Sequence, residues 1–329
     1  MTTRLSRPII FILCVLLFST SSALASKKSA DPSGDTAIII ASFGTSVPSA
    51  VTAISNIYQK TKKAFPTIEV RICFTSNIIR SIWRERREKP REWLDQGILR
   101  EILYVKNIIS TIGDLCEEGY RNIIVQPTHM FYMEQSQDLK SYVDALASIR
   151  TTKKKWNPFD KLVMGRPALG MPGNHYDYHK DLAKAVQTLA GDAQLARENN
   201  AMLIYMGHGN EHWSTGIYAE TQKKMRTEYP DVQTFVGVAE GMPGINDFLS
   251  YLPHAKTKKI ILKPFMIVAG DHAKNDMAGS GPNSWKSILT QEGYEVQSVL
   301  EGLGSNDNFA ALFVDHIKDT AREHNIQLQ

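Results

Sequence analysis

Two similar α/β lobes, each a parallel sheet flanked by helices, with an active-site cleft between them, is the architecture that the patterning of these 329 residues predicts. One reason is alternation. Short apolar runs ended by Gly or Pro take turns with segments whose apolar residues recur every three or four positions. Strand–helix alternation of that kind builds parallel sheets covered on both faces. The other reason is repetition. Ile123-Ile124-Val125-Gln126-Pro127 matches Ile260-Ile261-Leu262-Lys263-Pro264, and IIIASFGTS from Ile38 echoes LIYMGHGN from Leu203. A duplicated unit explains both likenesses.

Along the chain, residues 1–25 read as a secretory signal peptide. Arg4 and Arg7 precede the apolar run Ile9–Phe18, and Ala23-Leu24-Ala25 is an A-x-A cleavage pattern. Cys14 lies inside the apolar run, which argues against a lipid anchor. Residues 26–35 are polar and read as a flexible tail. The first lobe, 36–170, has strands at Ala37–Ser42, Glu69–Phe74, Ile123–Val125 and Leu162–Gly165. Ala50, Ile54, Ile57 and Tyr58 form a helical stripe between the first two. Ile98, Ile102, Val105, Ile109 and Ile112 mark one long amphipathic helix stopped near Gly119. The breaker-rich RPALGMPG from Arg166 ends the lobe. The second lobe, 171–329, has strands at Met202–Met206, Thr234–Val238, Lys259–Lys263 and Glu295–Leu300. A last helix over Asn308–His324 is expected to pack back on the first lobe.

Composition excludes several classes. The chain is 43% hydrophobic and 22% charged, ordinary globular material. Its formal charge of +4 falls to about +2 once Arg4 and Arg7 are removed, too weak a basic excess to demand nucleic acid. Lys153–Lys155 reads as a solvated loop, and no segment after the signal is apolar enough to insert in a membrane. Cys73 and Cys116 are two thiols in apolar contexts, not a disulfide framework. There is no P-loop, no G-x-G-x-x-G opening a helix, no G-x-S-x-G and no C-x-x-C, so a nucleotide cofactor is not expected.

The chemistry-bearing residues sit where strands give out. His208 lies between Gly207 and Gly209, and His272 follows Gly270-Asp271 with Asp276 available to orient its second nitrogen. Glu240 follows the strand Thr234–Val238. Ligands in α/β sheets bind at the carboxyl ends of strands. Taken singly, each has a plainer reading: a turn histidine with one backbone hydrogen bond, or a capping carboxylate. Together they form a two-histidine, one-carboxylate site suited to Co²⁺, Fe²⁺, Ni²⁺ or Zn²⁺. In the first half, Glu134 falls near the repeat position of His272; it is either an acid/base group facing the ligands across the cleft or the N-terminal charge of a helix. His129 reads as a structural histidine, or as a ligand at a second site or a subunit contact. His175 and His179 are spaced to share a helix face, and His212 sits near the cleft. His254, His316 and His324 have no supporting pattern.

IIIASFGTS, QPTHM, MGHG, VGVAEG, PFMIVAGDHAKNDM, SWK and GLG, in this order, resemble the anaerobic cobalt chelatases of the CbiK type, which are class II chelatases. The resemblance covers nearly all of the chain after the signal. It implies an ATP-independent lyase whose two α/β lobes hold a tetrapyrrole, sirohydrochlorin, and insert Co²⁺ or Fe²⁺ with release of two protons, in cobalamin and tetrapyrrole biosynthesis. The family's metal-binding residues fall on His208, Glu240 and His272, and catalytic roles on His208, Glu240 and Glu134. The spacing in H-M-F-Y-M-E is one residue shorter than the family's, which bears on Glu134. Some exported members bind haem at a subunit interface; His129 is the candidate haem ligand here, and such an interface implies a homo-oligomer. With the signal peptide, the expected location is the periplasm. The substrate's many carboxylates call for cations around the cleft, and Arg166, Lys263, Lys274 and Lys286 lie near the motifs, each reading equally well as solvated surface. Protonation of imidazole ligands predicts activity lost as pH falls through the histidine range.

Two other functions use the same residues. An exported carrier of metal, haem or sirohaem would hold its ligand without turnover. A zinc-dependent hydrolase would place a water on His208, Glu240 and His272.

Overall fold

The computed structural model describes residues 35–173, 175–210, 216–255 and 257–328. The expected signal peptide, the tail up to residue 34 and His212 lie outside the described residues. In the first half the order is β1 (Thr36–Ser42), α1 (Val51–Ala64), β2 (Glu69–Phe74), α2 (Asn77–Arg86), α3 (Pro90–Leu94), α4 (Arg100–Leu103), α5 (Ile108–Glu117), β3 (Asn122–Pro127), α6 (Glu134–Ala147) and β4 (Lys161–Met164). In the second half it is α7 (Tyr178–Gln187), α8 (Ala190–Glu198), β5 (Met202–Gly209), α9 (Gly216–Glu228), β6 (Thr234–Glu240), α10 (Ile245–Leu249), β7 (Lys259–Pro264), a π-helical turn (Ala273–Met277), α11 (Trp285–Gln291), β8 (Glu295–Ser298) and α12 (Asp307–Glu323). No described helix is long and apolar enough to cross a membrane.

The strands form two four-stranded sheets, ordered β2-β1-β3-β4 and β6-β5-β7-β8. Every pairing is parallel. The two-lobed α/β architecture is therefore present, and the repeat is visible in register: Ala41 pairs with Pro127 as Met206 pairs with Pro264. All seven residues of β1 are buried, as a strand covered on both faces must be. One large core joins Ile38, Ile40 and Ile124 of the first sheet to Leu203, Tyr205 and Phe265 of the second half. Smaller cores cover the other faces.

The predicted long helix over residues 98–112 does not form. Cys73 and Lys106 make a parallel bridge, and Phe74 N donates to Lys106 O at 3.1 Å, which pulls the chain out straight between α4 and α5. Asn107 then caps α5 by accepting from Ser110 N at 2.7 Å. Sheet pairing thus overrides a helical stripe, and Ile109 ends up 48% exposed. Helix α12 lies against the first half: Lys60 pairs with Asp307 at 3.2 Å, and Lys161 Nζ donates to Asn325 O, just beyond the helix, at 2.7 Å. Cys73 is buried and Cys116 half-buried, both as free thiols.

Candidate metal centre and its cleft

Strand β5 ends in Gly207-His208-Gly209, and both glycines are required by what packs on them. A Cβ on Gly207 would lie 2.3 Å from the Tyr218 ring, and one on Gly209 would lie 1.9 Å from Glu240 O. Gly209 also has φ +78°, a left-handed backbone that favours glycine. Its N–H donates to Tyr218 Oη at 3.2 Å, so a buried tyrosine of α9 fixes the turn that presents His208. Glu240 is the last residue of β6, in register with Gly209. His272 comes off the loop after β7 and opens the π-helical turn. Its Nδ1 lies 2.6 Å from Asp276 Oδ2. Donation of Nδ1–H to that carboxylate leaves Nε2 bare for a metal.

The three side chains converge. His208 Nδ1 is 3.7 Å from Glu240 Oε2, and His272 Nε2 is 3.8 Å from Glu240 Oε1. The imidazoles meet edge to face with centroids 4.6 Å apart. One ligand atom from each residue lies within 4.8 Å of the other two, and all three residues are half-buried. This is a borderline-soft donor set that leaves coordination positions open, suited to a first-row divalent ion.

The first half supplies no second copy of it. By the strand register, the counterparts of His208, Glu240 and His272 are Phe43, Ser76 and Gln135. Glu134 corresponds to Asp271, beside His272 as the repeat predicts. It is the first residue of α6 and accepts from Asn210 Nδ2 at 2.8 Å, a bond between the halves. Phe43, His129, Glu134, His208, Glu240 and His272 all line one cleft of about 730 Å³. Its wall also includes Ile109 and Tyr142, large apolar groups about half exposed.

His129 is only 7% exposed, its Nδ1 is 2.8 Å from Ser136 Oγ, and burial pushes its pKa down to about 4. An imidazole enclosed in the cleft wall and bonded to Ser136 matches the structural reading of this histidine. Arg166 does not face substrate: it is buried, bidentate to Asp181 at 2.6 and 3.0 Å, and bonded to Asp319 at 2.8 Å. Lys263 is also buried, with Nζ 2.5 Å from Asp192 Oδ1. Lys274 and Lys286 are exposed and do not line the cleft. His179 bonds Asp177 at 2.9 Å and His175 meets Tyr176 edge to face, so each of the two imidazoles has its own local partner. Sequence reasoning missed Tyr218, Asn210 and Arg80, all of which line the cleft. Only the helical stripe that buries Tyr218 had a signal in the sequence.

Known proteins resemble this chain in sequence or in fold. A relative from Nitratidesulfovibrio vulgaris, sirohydrochlorin cobaltochelatase CbiKC, is 25% identical over 280 residues, covering 85% of this chain and 88% of the relative. The sirohydrochlorin cobaltochelatase of Salmonella typhimurium is 26% identical over 284 residues, covering 85% and 94%. Two solved structures of SirB share the fold. SirB from Bacillus subtilis with Fe³⁺ has TM-score 0.58 at 11% identity, and covers 90% of this chain and 100% of its own. The sirohydrochlorin chelatase SirB from Bacillus subtilis subspecies spizizenii, in complex with cobalt, has TM-score 0.54 at 12% identity with the same coverage. The cobalt chelatase (CbiK) family model matches residues 36–322, which contain both sheets and the candidate ligands His208, Glu240 and His272, and the chain belongs to that family.

Proposed function

We propose that this protein is a sirohydrochlorin cobaltochelatase that inserts Co²⁺ into the macrocycle without ATP and with release of two protons. The observation that carries the reading is the convergence of His208, Glu240 and His272 at the wall of a tetrapyrrole-sized cleft. The two relatives bear that activity in their names. His208, Glu240 and His272 hold the incoming ion, with Asp276 fixing His272. Phe43, Ile109 and Tyr142 offer the faces of the ring an apolar wall. For the metal to enter, two pyrrole N–H protons must leave. Glu240, beside the metal, and Glu134, at the facing helix terminus, are the carboxylates placed to accept them. Export to the periplasm is part of the proposal, supported by Arg4, Arg7, Ile9–Phe18 and Ala23-Leu24-Ala25.

The test is an anaerobic absorbance time course with sirohydrochlorin and Co²⁺, run also with Fe²⁺, on the wild type, His208→Ala and His272→Ala. Multiple turnovers with Co²⁺ that either substitution abolishes are expected. A spectral change that stops at one equivalent would make the protein a carrier instead. N-terminal sequencing of the secreted chain should begin at Ser26.

A further inference from the structure

The charges around the cleft are one-sided. Glu134, Asp138, Glu240 and Asp271 line it, and Arg80 is the one lysine or arginine among the described residues that does. Arg80 sits in the first turn of α2. Its Nη1 donates to Phe74 O at 2.6 Å and Thr75 O at 2.9 Å, and its Nη2 donates to Asn77 Oδ1. All three acceptors are neutral. Of a guanidinium's five N–H donors, these bonds leave the Nε–H and one Nη2–H without a partner among the described residues.

The chain shows elsewhere what that edge of an arginine takes. Arg121, Arg166 and Arg197 each hold an aspartate through Nε and Nη2, binding Asp160, Asp181 and Asp231 at 2.5–3.0 Å. Arg80 has no carboxylate partner among the described residues. Its nearest charged helical neighbour is the like-charged Arg84, and burial pulls its pKa down. A partly desolvated cation, braced by carbonyls and lacking a counter-ion, is an anion site waiting for a planar two-oxygen ligand.

We infer that Arg80 binds a peripheral carboxylate of the tetrapyrrole through its Nε/Nη2 edge and so sets which side of the macrocycle enters the cleft against α2. The inference rests on the proposed chelatase reading, since a polycarboxylate ring is the ligand that reading supplies. It also separates the two tasks of the cleft: His208, Glu240 and His272 receive the cation, and the first-half arginine receives the acid. Asn77 belongs to the same device, because its oxygen holds Nη2 in place.

The test compares wild type, Arg80→Gln and Arg80→Lys with sirohydrochlorin and with the same ring esterified at its carboxylates. The readouts are steady-state Co²⁺ insertion and Co²⁺ affinity without tetrapyrrole. Arg80→Gln should raise KM for sirohydrochlorin about 10- to 100-fold, the range for losing hydrogen bonds to a charged group, with Co²⁺ affinity unchanged. Esterification should raise the wild-type KM by a similar factor and leave Arg80→Gln nearly unaffected. Arg80→Lys, which keeps a donor to the Phe74 and Thr75 carbonyls, should fall between and guards against a loss caused by misfolding. An unchanged KM in Arg80→Gln, or an equal loss on acid and ester, overturns the carboxylate site while wild-type turnover leaves the chelatase reading standing. Absence of insertion by the wild type overturns that reading, and the tetrapyrrole carboxylate with it.

Discussion

Asp276 meets the candidate metal centre through His272 Nδ1, and a proton held between the two leaves Nε2 bare. Replacing it by Ala should weaken Co²⁺ binding about 10- to 100-fold while changing stability little, because the carboxylate is exposed. A competition titration against a chromophoric chelator reads this, and an unchanged affinity would reduce Asp276 to a surface charge. His129 has the opposite character, enclosed in the cleft wall. Burial disfavours its charged form and holds its pKa at about 4, against the ordinary histidine value near 6.5 in the unfolded chain. The unfolded state therefore binds the extra proton first. The neutral ring's contribution is complete above pH ~6.5 and is lost as pH falls toward 4, by about 2–3 kcal/mol. Urea denaturation at pH 7 and pH 4.5 should show that loss in the wild type and a smaller one in His129→Gln. Equal losses in the two proteins would refute it.

At the scale of elements, the strands and the groups at their mouths were legible because a strand buried on both faces has to be apolar throughout and has to end where polar atoms can be satisfied. Residues His208, Glu240 and His272 follow from that rule. What was not legible depends on partners remote in sequence. Lys263 sits beside the family-like motif, but Asp192, 71 residues away, claims it. The stripe from Ile98 to Ile112 has a helical period, but Cys73 recruits Lys106 to the sheet edge. Arg80 lies in a basic, solvent-like run, NIIRSIWRER, and only the carbonyls at the end of β2 turn it toward the cleft. Arg166 shows the same effect with an energetic consequence. It joins the segment after β4 to Asp181 of α7 and Asp319 of α12, and His316 Nε2 lies 3.4 Å from Asp181. Burial alone would raise the Asp181 carboxyl, but hydrogen bonds from His316 and Arg166 hold it at about 2. Asp181→Ala would leave Arg166 with one of its two acids, in a site almost closed to water. That should cost about 3–5 kcal/mol in urea denaturation, the cost of breaking a buried pair. A loss below 1 kcal/mol would mean that Asp319 alone satisfies the guanidinium.

For the molecule as a whole, duplication and division are different things. The repeat separates the two sheets cleanly near residue 170, yet the hydrophobic core ignores that line. Ile54 and Ile57 of α1 share one cluster with Phe309, Phe313 and Ile317 of α12, and with Leu203, Tyr205 and Phe265 around β5 and β7. Residues 31–329 accordingly form one compact unit. The candidate metal ligands come from the second half, but the walls of the cleft come from both, so a complete cleft requires the halves to stay joined. Cooperativity should report this. Trp83 is fully buried in the shared core, whereas Trp285 belongs to the separate cluster on the second sheet, against Phe248. With the tryptophans fluorine-labelled and assigned by Trp→Phe substitution, both resonances should disappear at the same urea concentration, as two-state unfolding demands. If the halves were independent folding units, Trp285 would keep its native signal after Trp83 had lost its own, or the reverse. Coincident midpoints would mean that a cavity made in the α1–α12 packing, by Phe313→Ala for example, destabilises the distant metal centre by the same 3–5 kcal/mol, roughly, that it takes from its own surroundings.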